Sequence, residues 1–445
     1  MGRSRNIGCR RSLIRLALSL AALVLVLLLP ARSQDGSTSM QGLVEDLSGA
    51  RIVGADVALT NSDNGYRVMA KSDGEGRFHF AMLVPGTYAV SVSAPGMASA
   101  TQEGLMLHVG GSFQLQFRLR PQGHAENVTV VAPPPVHDPE SGEVSQIIDQ
   151  QAMVDLPLNG RRYTDLALLS PGVTQDPRGL TSGSNGDLSY GGTRGYQNSY
   201  LVDGADNNNS FFAQGRGRYR APYQFSNEVI KEFRVSSNGY SAELGRAGGA
   251  VFNVVTNSGG NRWHGTGFLY TRDRTFDAQP AYVTSQPYEQ QRQFGGTLSG
   301  PLVKNRVFLY LGYDQHRLDV PAIVQFGNGA ESVVPQPADY DYLDYDLVSA
   351  AAAKLNGMAG EYPVSMGGNA GFAKVDFNFS TKQLLFFRLS TSRYSGTNNV
   401  FFDAASPITH YTEDNNGTEN VATESLAGSW TSAWSEAAST LRNAT

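Results

Sequence analysis

The chain has 445 residues, 35 basic and 40 acidic, for a formal charge of −5. That length implies two to four domains, and the acidic balance argues against nucleic acid as a partner. The single cysteine, Cys9, excludes an internal disulfide framework, a Cys metal site and a Cys nucleophile from the mature chain; 49 glycines and 10% aromatics fit a β-rich, turn-rich architecture better than a helical bundle.

Residues 1–33 read as a secretory signal peptide: an Arg-rich start, an apolar run from Leu16 to Leu29, and Ala31-Arg32-Ser33 as a small-x-small cleavage site. The alternative is an N-terminal anchor, but a fourteen-residue run ended by Pro30 falls short of the roughly 20 a helical span needs. Arg10-Arg11 also allows a twin-arginine route; the general secretory route is preferred. Six arginines and no acid precede residue 34, so a chain starting at Gln34 keeps 29 basic and 40 acidic residues, a charge of −11. No later stretch is apolar and long enough for a membrane helix, so membrane residence requires a β-barrel.

Residues 37–120 carry short strands at Ser39–Val44, Ala55–Thr60, Arg67–Lys71, Arg77–Ala81, Thr87–Ser93 and Phe113–Leu119, punctuated by Gly, Pro, Asn and Asp. That spacing predicts a small antiparallel sandwich with Leu83 and Tyr88 in its core. Residues 121–143 are a proline-marked linker. Residues 144–262 form a compact α+β unit that opens on a helical stretch from Val144 to Leu156. Leu166, Leu168 and Leu169 make a short apolar face before Pro171-Gly172. The unit ends on two strands, one around Val229–Val235 and one over Val251–Thr256, with the glycines Gly245, Gly248 and Gly249 between them.

From Trp263 the pattern changes. Trp263–Arg274, Gln290–Gly300 and Arg306–Gln315 alternate, with aromatics near their ends. Ala373, Val375, Phe377 and Phe379 alternate with Lys374, Asp376, Asn378 and Ser380, one face for lipid and one for a wet lumen. Leu385, Phe387 and Leu389 repeat this beside Arg388 and Ser390. Pro301–Asn305 and Ser380–Lys382 are tight connections, whereas Arg317–Asn369 and Ser395–Gly417 are long. Short periplasmic turns and long outer loops are the asymmetry of a transmembrane barrel.

Several phrases resemble known families. GLVEDLSGARIVGADVALT, SDGEGRFHF and LVPGTYAVSVSAPGM resemble the carboxypeptidase regulatory-like domain, a non-catalytic β-sandwich with a carbohydrate-binding-like fold; the resemblance implies a structural or docking role, with sugar binding as the alternative. DLPLNGRRYTDLALLSPGV, GGTRGYQNSYLVDGADNNN, the run from Gly248 to Gly259 and QFGGTLSGPLVKNRVFLYLGYD resemble the plug and first barrel strands of TonB-dependent outer-membrane receptors of the Oar-like branch. The resemblance assigns plug architecture to Arg194, Gly195, Asp203, Gly204, Gly248 and Gly249. Many siderophore-receptor plugs carry an R-G-P element where this chain has Ser236-Ser237-Asn238-Gly239-Tyr240, so the ligand class does not transfer. Asn127-Val128-Thr129-Val130-Val131-Ala132 resembles a TonB box, an extended segment that adds to another protein's sheet edge; the competing readings are a last sandwich strand or a plain linker.

The resemblance implies TonB, outer-membrane lipid and an extracellular ligand, carbohydrate among the options, as partners. It implies residence in the outer membrane of a Gram-negative cell, reached through the periplasm. The expected fold is mostly β: the sandwich over 37–120, the plug over 144–262, and barrel strands over 263–445. About seven strands are expected there, whereas plugged transporters have about 22. The chain therefore reads as the N-terminal fragment of a longer receptor, since seven strands alone leave an open edge in lipid.

No HExxH, P-loop, CxxC or G-x-S-x-G pattern occurs, so no catalytic residue, cofactor or metal is expected. The basic run Gln214–Arg220 and the acidic-aromatic run around Asp339, Asp341, Asp344 and Asp346 read as solvated loops ahead of ligand sites. Asp203, Asp206 and Asn207–Asn209 read as turn formers ahead of ligands. The expectation is energised import of an oligosaccharide, peptide or metal chelate; the alternative is an outer-membrane adhesion or carbohydrate-binding protein without transport.

Overall fold

The computed structural model describes residues 38–122, 128–129, 142–156, 163–175, 188–208, 226–240, 244–276, 278, 289–324, 345–399, 408–409, 411–435 and 438–444. The expected signal peptide, the segment's Asn127, Val130, Val131 and Ala132, Gln214–Arg220, and Asp339, Asp341 and Asp344 lie outside them.

The N-terminal domain holds β1 (Thr38–Asp46), β2 (Asp56–Asn61), β3 (Arg67–Lys71), β4 (Arg77–Leu83), β5 (Gly86–Ser93), β6 (Ala100–Leu107) and β7 (Ser112–Leu119). Two sheets, β4-β1-β7 and β3-β2-β5-β6, face one another across a core that includes Met40, Leu59, Phe78, Tyr88, Val90 and Phe117. Two expectations change. The sandwich is mixed, because β1 and β7 pair in parallel. It also has the unexpected strand β6, whose burial alternates at Ala100 and Gln102 and again at Leu105 and Leu107. The break between them is a bulge at Gly104, which has φ +73° and shifts the register against β5. A two-residue strand, β8 (Val128–Thr129), extends the second sheet by pairing in parallel with Ala100–Thr101.

The plug unit is built on a sheet of order β13-β12-β15-β14-β9. Its strands are β9 (Val144–Asp149), β12 (Ser199–Val202), β13 (Ala205–Asp206), β14 (Ile230–Asn238) and β15 (Val251–Thr256), with β10 (Val173–Gln175) and β11 (Leu188–Tyr190) as a separate pair. The helix expected from Val144 is confined to α1 (Gln150–Asp155), capped by the Asp149 carboxylate accepting from Ala152 N–H. Val144–Asp149 is instead drawn into an edge strand by β14. Tyr163–Leu169 is a 3-10 helix that buries Leu166 and Ala167, while Leu168 and Leu169 stay exposed. Phe233, Val235, Phe252 and Val254 fill the core of this unit.

The third sheet runs β16 (His264–Asp273), β17 (Gln290–Val303), β18 (Val307–Val324), β19 (Gly360–Ser380), β20 (Gln383–Thr397), β22 (Thr418–Ser435) and β23 (Ala438–Ala444), each antiparallel to the next; β21 (Ile408–Thr409) pairs β18. Among the described residues β16 and β23 are its two ends and do not pair. The expected long loop from Arg317 to Asn369 is shorter than read. β18 and β19 stay paired out to Val324 and Gly360, where Ala322, Val324, Tyr362 and Val364 bury one another. Their 18 and 21 residues exceed the 9–11 or so a spanning strand needs. The long connection carries α2 (Tyr345–Asn356). No helix among the described residues is long and apolar enough to cross a membrane, which says nothing of strands.

Candidate functional site: the plug–barrel latch

β12 is buried along its whole length and pairs in parallel with β15. It ends at Asp203-Gly204, both left-handed at φ +50° and +78°, which turn the chain into β13. Two successive positive φ values favour an Asp-Gly pair. The Asp203 N–H donates to Val254 O at 2.8 Å, and Thr256 donates to the Asp203 carboxylate through N–H at 2.8 Å and Oγ1 at 2.7 Å. The turn thus aims a fixed carboxylate out of the plug.

Two cations from the barrel wall meet it. Arg388 of β20 donates to Asp203 Oδ2 at 2.9 Å, and Lys374 of β19 lies 3.7 Å from Oδ1; all three side chains are only 3–5% exposed. Lys374 Nζ also donates to Thr256 Oγ1 at 3.1 Å and lies 4.7 Å from the centre of the Phe386 ring. Lys374 and Arg388 are cross-strand partners, so one face of the wall presents both. Burial alone would raise the Asp203 carboxyl, but Lys374, Arg388 and the Thr256 hydrogen bonds hold it below the usual carboxylate range. The triad is buried, and removing one partner costs about 3–5 kcal/mol because the remaining charge stays buried.

On one side the triad borders a cavity of about 590 Å³ that Asp203, Lys374 and Asp376 line together with Tyr66 of the N-terminal domain; on the other, plug and wall pack directly. Tyr310 and Phe372 of the wall join the plug's core and meet edge to face at 6.1 Å. Tyr310 Oη donates to Glu228 O at 2.7 Å. A Cβ at Gly312 would lie 2.5 Å from Val229 Cγ1, so glycine there lets plug and wall touch. Ser258 donates to Asp376 Oδ1 at 3.3 Å. The alternation expected for β19 and β20 follows this seam: Lys374 and Arg388 face the plug, while Phe379, Phe387 and Leu389 are exposed on the opposite face.

The other expected plug residues gather at the far end of β12. Gly248 and Gly249 N–H groups both donate to Gln197 O, at 2.8 and 3.0 Å, and Arg194 N–H donates to Gln197 Oε1 at 2.9 Å. A Cβ at Gly249 would meet Asn198 Oδ1 at 2.5 Å. Gly195 is buried there, whereas the Arg194 side chain is exposed and contributes through its backbone. Asp203, expected as a turn former, is also the anion of the latch. Its partners were visible in the sequence only as lumen-facing cations. Of the TonB-box-like segment, only Val128 and Thr129 are described, paired to the sandwich and apart from the latch.

Comparison with known proteins follows the same division. Residues 39–120 match the carboxypeptidase regulatory-like domain and residues 255–340 match an outer membrane beta barrel domain. The chain is 26% identical over 296 residues to the TonB-dependent transporter Oar of Myxococcus xanthus, an alignment covering 62% of this chain and 26% of that protein. Among solved structures it is similar to the ferric enterobactin receptor PfeA of Pseudomonas aeruginosa, at 16% identity and TM-score 0.48, covering 67% of this chain and 40% of that one. The siderophore receptor PirA of Acinetobacter baumannii aligns at 15% identity and TM-score 0.45, covering 66% and 38%. The chain thus spans about a quarter of the length of the curated relative and about two fifths of these receptors. The two domain matches and the Oar relative fall in one order along the sequence and together support a TonB-dependent receptor of the outer membrane.

Proposed function

We propose that this chain forms the plug, the periplasmic domain and the first barrel strands of an energised importer. An extracellular ligand binds at the outer loops and the plug's apex. A periplasmic energy-transducing protein of the TonB type captures Asn127–Ala132 by strand addition and pulls. The observation that supports the reading most is the Asp203–Arg388–Lys374 latch. A plug meant only to seal would gain from an apolar seam, because a buried ion pair nearly cancels its own desolvation cost. A charged seam suits a plug that must leave, since water entering behind it rehydrates all three groups.

The ligand is an oligosaccharide, a peptide or a metal chelate, taken up through the full-length receptor. The test is accumulation of each class in cells carrying the full-length gene, with and without a protonophore, and with Val130 and Val131 replaced by proline. Import requires that uptake of one class collapse under both treatments. Binding that survives both, with no accumulation, belongs to an adhesion or carbohydrate-binding protein instead.

A further inference from the structure

We propose that the regulatory-like domain is a strap across the periplasmic mouth of the barrel, bonded to plug and wall at once, and that it must detach before the plug moves. The proposal rests on the import reading above.

On the plug, the grips fall on β14. Glu232 is 4% exposed, accepts from Val109 N–H at 2.6 Å and meets His108 Nδ1 at 2.7 Å. Arg234 donates to Val109 O at 3.0 Å and Gly110 O at 2.5 Å, and is itself held by Glu143 at 2.9 Å. Lys231 donates to Pro85 O at 3.0 Å. On the wall, Tyr66 Oη donates to Thr381 O at 2.8 Å, in the tight turn between β19 and β20. Where plug meets wall, Asn261 N–H donates to Asp63 O at 2.9 Å, and the Asn261 side chain donates to Asn305 Oδ1 at 2.7 Å in the β17–β18 turn.

Both turns are tight, and tight turns lie at the periplasmic end of such barrels. The domain therefore stands where a pulled plug must leave. A body bonded to the plug and to the wall also fixes one against the other.

Contour length sets the order of release. Gln122, the last described residue of the domain, precedes Val128 by six positions, a reach of at most about 20 Å. Val131 precedes Val144 by thirteen, at most about 45 Å. Val128 and Thr129 already lie along β6 of the same domain. Tension on the segment is taken up by the domain before it reaches β9, so the strap comes away first and the plug's edge strand is loaded second.

A reversible staple tests this. A Cβ on Gly260 would lie 3.9 Å from the Asp63 Cβ, within the disulfide range of about 3.5–4.5 Å. The Asp63 carbonyl oxygen would lie 2.9 Å from that Cβ, so the backbone must shift for the staple to close. In the full-length receptor, Asp63→Cys and Gly260→Cys are combined with a reporter, Ser237→Cys, at a position 6% exposed beneath β9. Alkylation of residue 237 by N-ethylmaleimide is followed by mass spectrometry in cells kept in peptide-rich medium, energised or treated with protonophore.

With the staple reduced, energising should raise the labelling rate about tenfold; with it closed, labelling should stay at the protonophore rate. Equal energised labelling in both forms overturns the strap. No energised increase in either form overturns the import reading instead. A loosened strap, Tyr66→Phe with Lys231→Met, carries the test without a disulfide. Its energised labelling should begin earlier and run several-fold faster than the parent's, and an unchanged rate overturns the proposal.

Discussion

Asp203 shows how much one residue can hold. Its left-handed turn, its two hydrogen bonds from Thr256 and its two cations from the wall make it the point where plug and barrel are charge-paired. Asp203→Asn should cost the full-length receptor about 3–5 kcal/mol by removing the carboxylate that buried Lys374 and Arg388 share; urea unfolding in detergent measures it. Adding Lys374→Met and Arg388→Met should cost less than the separate losses together, since no buried charge is then stranded. The pH dependence has a definite sign. Because the Asp203 carboxyl is held low, its contribution is present above the usual carboxylate range and is lost as pH falls through the lowered value. His108 behaves oppositely. The Glu232 hydrogen bond raises it against burial, with Asp149 adding to the rise and Lys231 opposing it. Its contribution to docking the N-terminal domain is full below about pH 6.5 and is lost as pH rises through the raised value. Cross-linking of domain to plug should decline over that range, and His108→Gln should flatten the profile.

At the scale of elements, legibility followed period. β19 and β20 could be read because an exposed apolar face and a polar face toward the plug impose strict alternation. Arginine at Phe387, on the outer face, should cost about 2–4 kcal/mol near the membrane midplane; arginine at Ser390, on the lumen face, should cost far less. Folding yield of the full-length receptor into lipid vesicles separates the two. β6 was missed because the bulge at Gly104 breaks its alternation. β9 was misread as helix because its six residues gain their strand partner from β14, more than eighty positions away. The glycines of the plug carried more than turn chemistry. Gly249→Ala should cost about 1–3 kcal/mol by overpacking, because the neighbouring Asn198 Oδ1 already accepts from Ala250 N–H at 3.0 Å and has little room to yield.

Across the whole molecule, the order of units was readable and their contacts were not. Sandwich, plug and barrel strands announce themselves by strand spacing, glycines and alternation. Contacts such as His108 to Glu232 or Asp203 to Arg388 join residues 124 and 185 positions apart and leave no periodic trace. They depend on which face each unit turns toward its neighbour, which only the assembled fold decides. Those contacts make the plug a guest held by polar bonds on two sides, the wall through Asp203 and the N-terminal domain through β14. Holding by polar bonds is compatible with motion because water can replace each partner.

The central claim is that this polar seam opens under energy delivered through the segment at Val128–Val131. A cysteine at Val254, in the middle of the plug sheet and 2% exposed, reports on it directly when its alkylation by N-ethylmaleimide is timed in cells carrying the full-length receptor. Rapid labelling in energised cells, slowed about tenfold by a protonophore and equally by proline at Val130 and Val131, is the expected result. Labelling at one unchanged rate under all three conditions would contradict it, and the seam would then be a permanent joint.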